Sequence, residues 1–89
     1  MLDRAIQLAV NGRVDDAITL LTEVLRLSPR LWQAFQYRGE LYLAQQRADA
    51  ALEDFDAAID LAGNEPHLCR LREKALVTNT STGGQETPE

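Results

Sequence analysis

AFQYRGELY, Ala34–Tyr42, is a run of helix-interior residues broken by one exception, Gly39. In a helix interior alanine would be about 1 kcal/mol more favourable than glycine. Two antiparallel helices approach to about 8–10 Å between axes only where the residues at the crossing are small. Gly39 therefore predicts a second helix pressed against the first at that point.

Glycine and proline divide the rest of the chain into helical segments. Leu8 leads into Asn11-Gly12, a helix stop, and Val14 to Leu27 then places Ile18, Leu21 and Leu25 at the three-and-four spacing of a one-faced helix. Asp15 and Asp16 sit in the first turn of that helix, where carboxylates suit the positive end of the macrodipole. Ser28-Pro29 closes it, with Ser28 as candidate N-cap of the next helix and Pro29 tolerated in a first turn. A third helix is expected from about Pro29 or Trp32 to Gln45, a fourth from about Ala48 to Ala62, and, after AGNEP, a fifth from about Pro66 to Val77. Residues 78–89, TNTSTGGQETPE, contain no apolar side chain to offset chain entropy and are expected as a disordered tail. No segment alternates with period two over a useful length, so the fold class is all-α.

The composition narrows the function classes. A chain of 89 residues makes one domain, burying about 60–65% of the surface its unfolded form exposes. The net charge of −5 disfavours a phosphate backbone as partner, so no nucleic acid is expected. No apolar run approaches the roughly 20 residues that cross a bilayer, which predicts no membrane insertion. The opening MLDRAIQLAV, with Asp3 and Arg4 inside it, does not look like a secretory signal. A single cysteine, Cys69, rules out an intrachain disulfide framework and suits a reducing compartment. The expected location is cytoplasmic.

Shifted by 34 residues, the sequence falls on itself: Met1 on Phe35 and Cys69, Arg4 on Arg38 and Arg72, Ala5 on Gly39, Leu8 on Tyr42 and Leu76. Further along, Gly12 falls on Gln46, Asp15 on Asp49, Ala17 on Ala51, Leu21 on Phe55, Val24 on Ala58 and Leu27 on Leu61. This period, with large, small and large residues at these spacings, resembles the tetratricopeptide repeat. The second unit carries the pattern in Phe35, Gly39, Tyr42, Ala51, Phe55 and Ala58; the first in Ala5, Leu8, Gly12, Ala17, Leu21 and Pro29. Two departures stand out: arginine precedes the small residue where the family has leucine, and Gly63 replaces the closing proline.

The resemblance implies a short right-handed α-solenoid of antiparallel helix hairpins, about five helices in all. Repeat 1 would span about 1–31, repeat 2 about 32–65, and a capping helix about 66–77. Gly39, Ala51 and Ala58, like Ala5 and Ala17 one repeat earlier, would occupy the helix crossings. Glu73 takes the place of Gly39 in the fifth helix; with no sixth helix to cross, it is expected to face water on a terminal cap.

In the family, the first helix of each unit lines a concave groove that holds a partner peptide or helix. With Phe35, Gly39 and Tyr42 packed inward, the opposite side of the third helix presents Gln33, Gln36, Tyr37, Glu40 and Ala44, with Leu43 at its edge. One repeat earlier stand Leu2, Ile6, Ala9 and Val10; one repeat later His67, Arg70, Lys74 and Val77. The groove should grade from apolar, through amide and acid, to basic. Leu2, Ile6 and Val10 are surplus apolar surface, fitting a pocket for a partner helix or for a second copy. Arg70 and Lys74 suit either a ligand carboxylate or a solvated helix face. The clamp that grips chaperone carboxyl tails needs a basic residue and an asparagine where this chain has Leu2 and Ile6, so that ligand is not expected.

Other conspicuous residues have structural explanations. Arg4, Arg38 and Arg72 are expected to lay their methylenes over neighbouring helices and expose their heads. Glu53, Asp54, Asp56 and Asp60 read as a solvated convex face. Trp32 suits an exposed binding aromatic or a staple over the preceding turn equally well. His67 and Cys69 are too few for a zinc site and, two apart on a helix, point apart. Gly83-Gly84 is no phosphate loop. The expectation is no enzyme, no cofactor and no metal. The chain reads as a protein–protein interaction module: an adaptor, scaffold or co-chaperone. The competing readings are a homodimer or larger self-associating solenoid joined through the N-terminal helix, with no peptide ligand, and a small assembly chaperone.

Overall fold

The structure is a computed structural model; it describes residues 2–84, with side chains as far as Thr78. Five helices follow one another: α1 (Leu2–Val10), α2 (Val14–Leu27), α3 (Trp32–Ala44), α4 (Ala48–Ala62) and α5 (Pro66–Gly84). Each packs on the next, and α3 additionally touches both α1 and α5, whereas α2 and α4 make no mutual contact. The odd-numbered helices thus form one layer and the even-numbered ones the other.

The corners between layers repeat. After α1, the Gly12 N–H donates to the Ala9 carbonyl (3.0 Å) and the Arg13 N–H to the Leu8 carbonyl (2.8 Å). After α3, the Gln46 N–H donates to Leu43 (3.0 Å) and the Arg47 N–H to Tyr42 (2.9 Å). Both are Schellman closures, whose middle residue must turn left-handed. Gly12 does so at φ 85°, and Gln46 does so at φ 66° despite its side chain. Gln45 Nε2 donates to Asp15 Oδ1 (2.7 Å), joining the second corner to the start of α2.

Two sequence expectations change here. Ser28 is not an N-cap: it ends α2, its N–H bonded to the Val24 carbonyl (2.7 Å), and α3 is entered from Leu31 without a side-chain cap. Leu31 packs on the core at that point, so apolar burial sets where α3 begins. α5 also continues past Val77 to Gly84, further than the end expected from sequence; residues 85–89 of the expected tail lie outside those described. Once a helix is nucleated, each added residue gains a hydrogen bond at little further cost, and Thr78 Oγ1 bonds back to the Lys74 carbonyl (2.9 Å).

The core runs along the interface between layers. Its amino-terminal part gathers Ala5, Leu21, Val24, Leu25 and Ala34; its carboxyl-terminal part gathers Ala51, Phe55 and Ala75, flanked by Tyr42 and Leu71. Gly39 is the tight point. A Cβ there would lie 2.6 Å from Phe55 Cε1 and 2.9 Å from Cδ1, and Phe55 is fully buried. The glycine makes room for a ring more than for the backbone of α4. One repeat earlier the same pair is Ala5 and Leu21: a larger small residue opposite a smaller large one.

Candidate protein-binding groove

The face formed by α1, α3 and α5 carries two hollows that meet at one residue. The first, about 190 Å³, lies between α1 and α3. Ala5, Leu21 and Leu41 form its floor, Ile6, Ala9 and Val10 one wall, and Tyr37 and Glu40 the other. Ile6 is 36% exposed and Val10 78%, apolar surface that the fold leaves open. The second hollow, about 360 Å³ and shallower, lies between α3 and α5 and is bordered by Glu40, Leu43, Ala44, Gln46, Leu71 and Lys74. Gln36, one turn before Glu40, donates from Nε2 to Glu40 Oε2 at 2.9 Å.

Among the groove residues expected from sequence, Ile6, Ala9, Val10, Tyr37 and Glu40 come together around the first hollow, and Leu43 and Lys74 around the second. Gln36 joins them through Glu40. Leu2 lies elsewhere: the turn between α2 and α3 folds against it, and with Val24, Ser28 and Leu31 it borders a separate hollow at the amino-terminal end of the stack. Gln33, half-buried, and Arg70, exposed, border neither hollow of the groove. Sequence reasoning missed Leu41 and Leu71; Leu41 lies four residues after Tyr37, a spacing that marks the same helix side.

Charge is arranged differently from the expectation at one place. The Arg38 guanidinium is not exposed: Nε and Nη2 donate to Asp54 Oδ2 and Oδ1, each at 2.8 Å, and Nη1 donates to Thr22 Oγ1 at 3.0 Å. Asp54, 3% exposed, is therefore no part of a solvated face. The hydrogen bonds that Arg38 donates to Asp54 raise its pKa above the ordinary arginine value, against the opposing effect of burial. Phe35 and Tyr42 flank the guanidinium, with ring centroids 5.9 and 5.8 Å away. Arg72, one repeat on, donates to Asp56 Oδ1 at 2.7 Å, Asp56 standing where the first repeat has Thr22. At the Asp54 position the first repeat has Leu20, so Arg4 has no equivalent carboxylate. Glu53, Asp56 and Asp60 are exposed.

Among the described residues no group of three or more histidine, cysteine, aspartate or glutamate side chains is placed to hold a metal ion. No described helix is long and apolar enough to cross a membrane.

Comparison with known proteins places this architecture. A family model described as tetratricopeptide repeat matches residues 2–66. Tetratricopeptide repeat protein 36 of Caenorhabditis elegans is 34% identical over 58 residues, covering 65% of this chain and 32% of that protein. Tetratricopeptide repeat protein 13 of Homo sapiens is 33% identical over 63 residues, covering 71% of this chain and 7% of that protein. The chain thus spans a third or less of the length of these relatives. The family match runs from the first residue of α1 to the first of α5, through both hairpins and both Schellman corners, and the chain belongs to the tetratricopeptide repeat family.

Proposed function

We propose that this chain is a cytoplasmic adaptor or scaffold module that binds a partner peptide or helix in the groove along α1, α3 and α5. The family generally mediates protein–protein interaction. The observation that supports this site is the open apolar hollow between α1 and α3, with Ile6 and Val10 exposed beside it. At about 190 Å³ it is smaller than the roughly 300–1,000 Å³ typical of small-molecule sites, and suits one large side chain of a longer ligand. Titration of candidate peptides into isotopically labelled protein should shift the amides of Ile6, Val10, Tyr37 and Glu40, and Ile6→Glu should weaken binding by about tenfold or more. Shifts confined to α2 and α4 would defeat the proposal.

The 78% exposure of Val10 also favours a second reading, self-association through α1 with no peptide ligand. Sedimentation over a concentration series decides it: a monomer at the highest concentration removes this alternative.

A further inference from the structure

Resting on the groove proposed above, we propose that its ligand is a segment pairing a large apolar residue with a neighbouring lysine or arginine, and that Glu40 reads the cation. Among the described residues, Glu40 is the only charged one bordering the first hollow, and it also borders the second. It is half-buried, and Gln36 donates to its Oε2, which orients the carboxylate while Oε1 has no partner among the described residues. A ligand that seats an apolar side chain between Ile6 and Leu41 covers this carboxylate. Covering a carboxylate without supplying a donor is costly, and supplying a second carboxylate more so. A lysine or arginine beside the apolar anchor turns that cost into a charge-assisted hydrogen bond.

The second hollow restricts the placement of that cation. Lys74 stands on its far wall, so positive charge on the ligand is favoured next to Glu40 and disfavoured further towards α5. The net charge of −5 additionally speeds encounter with a basic segment.

Selection from a random peptide library of about twelve residues, displayed on phage, tests this with wild type, Glu40→Gln, Glu40→Lys and Ile6→Glu, each checked for an unchanged helical signal. Wild type should enrich peptides with a large apolar residue and a lysine or arginine within four positions of it. A synthetic peptide of that pattern should bind Glu40→Gln about fivefold more weakly, and Glu40→Lys should select aspartate or glutamate at the same position. If wild type and Glu40→Lys enrich the same apolar pattern with no difference in charge, and Ile6→Glu abolishes it, the groove stands and the role of Glu40 falls. If the selected peptides bind Ile6→Glu as tightly as wild type, the groove itself is wrong.

Discussion

A methyl group added at Gly39 would meet the Phe55 ring at 2.6 Å. Overpacking of this kind costs about 1–3 kcal/mol, against about 1 kcal/mol gained in helix propensity, so Gly39→Ala should lower stability by about 1 kcal/mol. In a Phe55→Leu background the obstruction is gone and Gly39→Ala should become stabilising, reproducing the Ala5–Leu21 pair of the first repeat. Urea unfolding of the four proteins reads the sign directly, and destabilisation in both backgrounds would mean that something other than the ring requires glycine. Gln46 offers the opposite experiment. It holds φ 66° with a side chain, and left-handed backbone costs such a residue about 1–2 kcal/mol. Gln46→Gly should raise stability by about 0.5–1 kcal/mol after allowing for the extra freedom of the unfolded glycine, seen as a higher urea midpoint. Both positions were legible in the sequence, Gly39 as an anomaly in a helix and Gln46 as the counterpart of Gly12. The identity of the group facing Gly39 was less so, because small residues on both helices suggested a backbone crossing.

Helix boundaries followed from apolar spacing and from the glycine stops, and four of the five ended within about a residue of where those signals place them. The burial of Asp54 did not follow. It sits in a run of acids in α4 whose other members face solvent, and only the reach of Arg38 across the interface distinguishes it. The two arginine pairs should therefore respond very differently to loss of the acid. Asp54→Ala strands a guanidinium whose side chain is 18% exposed and should cost about 3 kcal/mol or more. Asp56→Ala breaks a pair whose members are 44% and 58% exposed and should change stability by less than about 0.5 kcal/mol. Thermal melts of the two variants test the contrast; equal effects would remove the special standing of Arg38. The extension of α5 beyond Val77 was also hidden, since a polar sequence carries no apolar periodicity to announce a helix that simply continues from one already formed.

Stability should be uneven across the stack. α1 buries only Ala5 and ends the layer, whereas α3 touches all four other helices. Native-state hydrogen exchange should show the α1 amides exchanging first and those of α3 and α4 last. Uniform protection would indicate a single cooperative unit. The repeat period and the side of α3 opposite Gly39 were enough to bring Ile6, Tyr37 and Glu40 around one hollow, because helical geometry alone relates them. Leu2, Gln33 and Arg70 border neither hollow of the groove; Leu2 lies beside Ser28 and Leu31 of the connection between α2 and α3, which a one-helix projection does not contain. Arg38 holds α2 through Thr22 and α4 through Asp54 with a single guanidinium. Stretched between its termini by an optical trap, the molecule should therefore peel from its outer helices and then lose α2, α3 and α4 in one rupture, since the seam between the hairpins is bolted shut.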